Sequence, residues 1–387
     1  MNIWEKERQH FPLTTGDSIY LDHSTSGMIP DYAYQAMRKA MDARYEGGLN
    51  IEEYYANWAK LDALRDKIGK MFHCEGSQVV YGLSSTHLMN ILANGIDLRP
   101  GDNVILMDNG YPGDNYVWMN KISQGVEIRF AKTDLGFITA EQILSYADER
   151  TKVICMSIVD NKRGFLHDFK TIGKLCRERG ILFAADATQA ANVIAIDMQE
   201  ACIDFLATSG YKWMMSPIGV GAACIDVGLL PKLSQSQAGW VGTNNRRYND
   251  SMVLDMSTDA RRFEYGGLNF LGYYAFDAAV EHNLSLGAAS IEEHVKSMVN
   301  AVYERAPKEL RQIRLYNEFP EKYRAQVISF LLPKEWNMDT LAFQALGLRC
   351  RVFEAEGLLR VGFHYMNLMS DVDRLFACLR QIETQHQ

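Results

Sequence analysis

Long apolar runs, a surplus of basic charge, paired cysteine motifs and glycine-rich nucleotide loops are all missing from this chain of 387 residues. No stretch approaches the roughly 20 apolar residues that a membrane helix requires. The opening MNIWEKERQHF has acidic residues where a secretion signal is basic and then apolar. A cytoplasmic protein without a membrane partner is the expectation. The 40 Lys and Arg are outnumbered by 48 Asp and Glu, for a formal net charge of -8. That balance gives no general attraction to nucleic-acid phosphates, so small molecules are the expected partners. The seven cysteines, Cys74, Cys155, Cys176, Cys202, Cys224, Cys350 and Cys378, include no CxxC pair. Neither a disulfide framework nor a structural metal site is indicated, and most should be small core residues. No GxGxxG follows a strand with an acid further on, which excludes a nicotinamide dinucleotide fold. No Pro/Gly/Ser-rich linker, repeat or low-complexity tract divides the chain.

What is present describes a folded α/β protein. Hydrophobic residues make up 47% and charged residues 23%, near the globular average, and the length predicts two lobes. From about residue 76 to 225, short apolar runs alternate with amphipathic stretches, the pattern of a mostly parallel sheet wound with helices. The clearest runs are 103-NVILMD-108, 152-KVICMSIV-159, 181-ILFAAD-186 and 203-IDFLATS-209. The segment 168–180 predicts a helix with an Asp N-cap and a C-terminal Gly. Beyond about residue 265 a helical stretch over 274–306, short strands at 326–332 and 358–364 and a closing helix from 371 predict a smaller α+β lobe. The polar stretch 242–252 predicts a long loop.

Two segments, 186-DATQ-189 and 208-TSGYKWM-214, begin where predicted parallel strands end, which is where open α/β sheets place their ligands. An acid there is costly to bury unless it meets a cation or donor. A protonated pyridine nitrogen meets that need at Asp186, and keeping it protonated makes the ring an electron sink. Lys212, beside Trp213 and Met214, supplies an amine for a Schiff base. A phosphate needs backbone N–H groups at a helix start and hydroxyls, which 82-GLSSTHLMNILANGI-96 offers. Together these point to pyridoxal phosphate. Taken singly, Lys212 reads as a surface cation after a turn and Ser84-Ser85-Thr86 as an ordinary helix cap.

In this order, the segments 20-YLDHSTSGMIP-30, 84-SSTHLMN-90, 101-GDNVILMDNGYP-112, 157-SIVDNKRG-164, 186-DATQ-189, 204-DFLATSGYK-212, 263-FEYGGLN-269 and 359-LRVGFHYMN-367 resemble the class V aminotransferases of pyridoxal-phosphate fold type I. That group includes cysteine desulfurases, kynureninase and isopenicillin N epimerase. The resemblance implies a seven-stranded-type sheet in a large cofactor domain over 31–262, a small α+β domain over 263–387, and an N-terminal arm, 1–30, packed on the small domain. It implies that Ser85, Thr86 and Ser209 bind the phosphate, Asp186 pairs with the pyridine nitrogen and Gln189 touches the ring hydroxyl. Tyr111 would stack on the ring, Asn161 would face the cofactor or substrate, and Arg360 would grip the substrate carboxylate. A homodimer with shared active sites is implied, with 240-WVGTNN-245 and 264-EYGGLN-269 reaching across.

The departures from the family pattern carry information too. Tyr211 replaces the usual His beside the lysine, and a phenol donates the same hydrogen bond. Gly267 stands where a Thr often reaches the partner's phosphate, and Thr243 is the candidate to compensate. His23 and Ser24 replace Asn-Ala near the substrate entrance. Cys350 lies ahead of the position where a desulfurase carries its persulfide cysteine, which here holds Glu356 or a neighbour. The expected activity is therefore aminotransferase-like or lyase-like chemistry at Cα or Cβ of an amino acid. A cysteine desulfurase or selenocysteine lyase, an epimerase, and a non-catalytic binding module are the alternatives. Arg163, Arg246 and Arg247 are candidates for the second carboxylate site of a transaminase, though exposed Arg is the plainer reading.

Overall fold

The computed structural model describes residues 2–16, 18–134, 136–247, 252–316 and 318–386. The predicted loop at 242–252 therefore lies partly outside the described residues.

Seven strands form the main sheet: β1 (Val79–Gly82), β2 (Asn103–Met107), β3 (Glu127–Ala131), β4 (Thr151–Ser157), β5 (Leu182–Asp186), β6 (Phe205–Ser209) and β7 (Gly221–Ile225). Their spatial order is β1-β7-β6-β5-β4-β2-β3. All neighbouring pairs run parallel except those of β7, which lies antiparallel to β1 and β6. The inner strands are apolar on both sides, as a sheet covered on two faces requires. Phe183, Ala185 and Leu206 belong to one buried cluster, and Ala184, Phe205 and Ala207 to the other. The three adjacent strands β4, β5 and β6 end at one edge in Ser157, Asp186 and Ser209.

The helices named here are α1 (Asp31–Gly47), α2 (Ile51–Phe72), α3 (Ser85–Gly95), α4 (Pro112–Met119), α5 (Phe169–Glu178), α6 (Phe270–Leu286), α7 (Ala288–Glu309) and α8 (Met369–Gln385). Helix α5 carries the predicted cap, the Asp168 side chain accepting from the Thr171 N–H at 3.2 Å. The stretch expected as one helix over 274–306 is two, because Gly287, at φ +80°, adopts a backbone conformation that stops the first. A four-stranded antiparallel sheet pairs β9 (Val327–Leu331) with β8 (Arg314–Leu315) on one side and β11 (Leu358–Gly362) on the other. Strand β10 (Arg351–Phe353) lies beyond β11.

The N-terminal residues lie on the chain's last third. Ile19–Tyr20 pairs in parallel with Leu348–Arg349, Trp4 stacks on His294 at 4.3 Å, and Arg8 bonds Asp371. Glu7 contacts His282. Helix α1, which the resemblance put in the large domain, packs along α6, which it put in the small one.

Candidate active site

A cavity of roughly 220 Å³ opens where β4, β5 and β6 end. Of the residues singled out in the sequence, Ser85, Thr86, Tyr111, Asn161, Asp186 and Gln189 line it, as do Ser209, Tyr211 and Lys212. Ser84, named only as part of a helix cap, lines it as well, and so do Ser157 and Thr188, which were not singled out.

Each side is built by local structure. Helix α3 starts with the Ser84 hydroxyl accepting from the His87 N–H at 3.3 Å. The Ser85 N–H donates to Ser209 Oγ at 2.9 Å, and the two hydroxyls lie 3.3 Å apart. Backbone donors, hydroxyls and the helix dipole thus converge on one corner, the composition of an anion cradle. Asp186 is buried, and the Thr188 N–H donates to its Oδ1 at 2.6 Å. Gln189 is fixed at both ends, its Oε1 accepting from Trp213 Nε1 at 2.7 Å and its Nε2 donating to the Ser24 carbonyl at 3.1 Å. An amide nitrogen has two hydrogens, so one remains for a ligand oxygen.

Lys212 follows β6 and is only 7% exposed. Its ammonium lies 5.2 Å from the Tyr111 ring centroid and 5.6 Å from that of Tyr211. Burial pushes its pKa down to about 8, Asp186 opposing and Arg360 adding to the shift. The N-terminal segment closes over its backbone. The Gly27 N–H donates to the Tyr211 carbonyl at 2.8 Å, and a Cβ at Gly27 would fall 1.9 Å from the Lys212 carbonyl oxygen.

Arg360, on β11, is buried and held by the Asn161 carbonyl and the Thr25 hydroxyl, each at 2.7 Å, and by Asp22 at 3.4 Å. Its Nε has no hydrogen-bond partner among the described residues. Burial raises the pKa of Asp22 although Arg360 counteracts it.

Several expected residues stand elsewhere. His23 is fully buried, its ring between Tyr20, Trp213 and His364, and does not line the cavity. It sits in a turn closed by the Thr25 and Ser26 N–H groups donating to the Asp22 carbonyl, and the turn directs its ring into the core. Ser24 reaches Gln189 through its backbone carbonyl rather than its hydroxyl. Thr243 donates to the Trp240 carbonyl at 2.7 Å, and neither it nor Gly267 lines the cavity of its own chain, the expectation for both being a partner's phosphate. Cys350 lies between Leu348–Arg349 and β10, only 2% exposed, and burial pushes its thiol pKa up. A buried thiol of that kind is inert as a nucleophile. Arg246 is paired with Asp62, Arg247 with Glu52, and Arg163 with Asp160 and Tyr316, so these guanidiniums are engaged away from the cavity.

Sequence reasoning also missed Asp114, in the first turn of α4. It is buried beside Asp186, and Ser157 Oγ donates to its Oδ2 at 3.2 Å. Burial first, and then the Asp186 charge, push its pKa well above the usual carboxylate range.

The residues present fit pyridoxal phosphate. An anion cradle, a buried acid and a buried lysine with no hydrogen-bonded acid among the described residues surround one cavity of suitable polarity, and Tyr111 flanks the lysine. A family model, aminotransferase class V, matches residues 19–375. A probable cysteine desulfurase of Methanothermobacter thermautotrophicus is 24% identical over 98% of each chain. A cysteine desulfurase of Yersinia pestis is also 24% identical over 98% of each. Among solved structures, the apo cysteine desulfurase from Thermococcus onnurineus superposes with a TM-score of 0.86 at 20% identity, covering 99% of both chains. The cystine C–S lyase C-DES, solved with its product cysteine persulfide, gives 0.86 at 18% identity over 95% of this chain and 98% of that one. Those two superpositions establish the fold. With the family model spanning nearly the whole chain, the protein belongs to the class V aminotransferase family.

Proposed function

We propose that the protein is a pyridoxal-phosphate enzyme acting at Cα or Cβ of an α-amino acid, by lyase-like chemistry that forms no persulfide on the enzyme's own cysteines. The observation that carries this reading is Lys212: a buried amine, uncharged in part at neutral pH, in a cavity that also holds Asp186 and borders Arg360. When bound there, the cofactor supplies an electron sink for charge developed at the substrate carbon. Ser85, Thr86 and Ser209 hold its phosphate, and Asp186 keeps the proton on its ring nitrogen. Arg360 orients the substrate carboxylate, which replaces Asp22 as the anion on the guanidinium. Lys212 would hold the cofactor through its amine, and that amine, when free, would take the Cα proton and return a proton where the reaction ends.

Among the reactions open to the family, two observations favour elimination. No cysteine lines the cavity, and Cys350 is buried, which weighs against the persulfide step of a cysteine desulfurase. Arg163, Arg246 and Arg247 are engaged with other groups, which weighs against a second carboxylate site for transamination. The similarity to desulfurases and to a cystine C–S lyase supports a sulfur-containing amino acid as substrate. A cytoplasmic homodimer completes the reading. The seven cysteines are free, and Leu83, Ile218 and Tyr265 are exposed large apolar side chains, Tyr265 lying edge-on to His87 of α3.

The test is an absorption spectrum of native protein and of Lys212→Ala, followed by additions of cystine, cysteine and other L-amino acids with product analysis. A visible cofactor band lost in the variant and pyruvate from cystine are expected. Alanine with a protein-bound persulfide would make the enzyme a desulfurase, an inverted isomer would make it an epimerase, and a keto acid retaining the side chain would make it an aminotransferase. Native protein that stays colourless after pyridoxal phosphate is added would sink the enzyme reading.

A further inference from the structure

The acid meant for the ring nitrogen does not stand alone. Asp114 and Asp186 reach the same end of the sheet from different elements, α4 and β5, and both are at most 3% exposed. Among the described residues Asp114 Oδ1 has no hydrogen-bond donor, while Ser157, which donates to Asp114 Oδ2 at 3.2 Å, is the cross-strand partner of Asp186, so the two carboxyls flank one residue at the end of the sheet. Two carboxylates cannot bond each other, since both only accept, and a buried pair cannot readily carry two negative charges. One proton between them resolves both problems. It resides on Asp114, because burial and the neighbouring charge hold that carboxyl in its neutral form, while Asp186 accepts from the Thr188 N–H at 2.6 Å. Ser157 and Cys155 of β4 and Lys212 beyond β6 are the other polar or titratable groups acting on Asp114.

We propose that Asp114 is a positioning residue: a neutral carboxylic acid that donates its proton to Asp186 and so keeps the proton of the Asp186–pyridine pair on the ring nitrogen. This rests on the cofactor assignment above. With Asp114 neutral, the site presents one negative charge to one pyridinium. A donor on Asp186 lowers that carboxylate's own proton affinity, so the shared proton stays on nitrogen and the ring remains an electron sink. Asn at 114 keeps a neutral donor of similar shape; Ala removes it.

Two measurements test this. The first is the infrared difference between wild type and Asp114→Asn, both free of cofactor, which needs no cofactor binding and therefore stands even if the cofactor assignment fails. A carboxylic-acid C=O band at neutral pH, present in wild type and absent from the variant, is expected; no such band overturns the proposal. The second is the ring nitrogen chemical shift of protein loaded with ¹⁵N-labelled pyridoxal phosphate. Asp114→Ala should move it toward the unprotonated value and Asp114→Asn should leave it near wild type. An unchanged shift in Asp114→Ala, or equal shifts in both variants, overturns the proposal.

Discussion

An amine that attacks an aldehyde must be uncharged, and burial gives Lys212 that property at a cost in stability. Its pKa falls from 10.5 to about 8 in the folded chain, so between those values the unfolded chain binds the extra proton and stability rises with pH. Below about pH 8 the penalty is present in full. Cofactor-free Lys212→Met should therefore melt above wild type at pH 7, by on the order of 3 kcal/mol, and the gap should close by pH 10 in calorimetry. Cofactor capture by wild type should accelerate with a midpoint near pH 8. At Arg360, replacement by Gln removes a charged, planar grip on the carboxylate. KM for the amino acid should rise roughly 10- to 100-fold in steady-state assays, with a smaller change in kcat. Nine residues of the cavity were legible because each sits in a short motif next to a strand end or helix start. Asp114 was not, since an acid in the first turn of a helix is ordinary there and nothing in 112-PGDN-115 says that α4 meets the end of β5. His23 failed for the opposite reason: its motif position was clear, but which side of the chain faces the core depends on Trp213 and His364, remote in sequence.

At the scale of elements, the apolar runs located β2, β4, β5 and β6 to within one or two residues, because strands buried on both faces leave a continuous hydrophobic signature. The helices of the last third were harder. The break at Gly287 is a local one that the apolar pattern runs through, whereas the packing of α1 along α6 depends on tertiary contacts, and no linker marks a boundary. Glycine positions give two sharper expectations. Gly27→Ala would drive a methyl into the Lys212 carbonyl oxygen, so cofactor occupancy measured from the visible band should fall along with the melting temperature. Among the described residues Gly267 has nothing within 4 Å of an added Cβ. Gly267→Thr should leave the melting temperature unchanged while tightening cofactor binding in an equilibrium titration, provided the segment meets a partner's phosphate; unchanged affinity would count against shared sites.

The whole molecule is tied together by contacts between distant segments. Arg65 of α2 makes a paired contact with Glu264, both bonds 2.8 Å, and the Tyr81 N–H donates to the same carboxylate at 2.9 Å. Glu264→Gln removes the buried counter-charge from the Arg65 guanidinium, leaving it only the half-exposed Asp62 at 3.3 Å, and should cost roughly 3 kcal/mol in chemical denaturation. The seven-stranded-type sheet was implied by a resemblance rather than by patterning, and its order was not legible, since the same apolar runs are compatible with several strand orders. The closure of the start of the chain onto its end also bears on synthesis. The Leu21 carbonyl accepts from the Gly362 N–H at 2.8 Å, and Arg360 reaches Asp22 and Thr25 across more than 330 residues. Contacts of such separation form late. A ribosome-bound chain that ends before β11 has exposed Val79 to Ile225 and so can build the sheet, the phosphate corner and Lys212, yet its substrate grip is missing. A nascent chain should therefore acquire colour before it acquires the capacity to choose an amino acid.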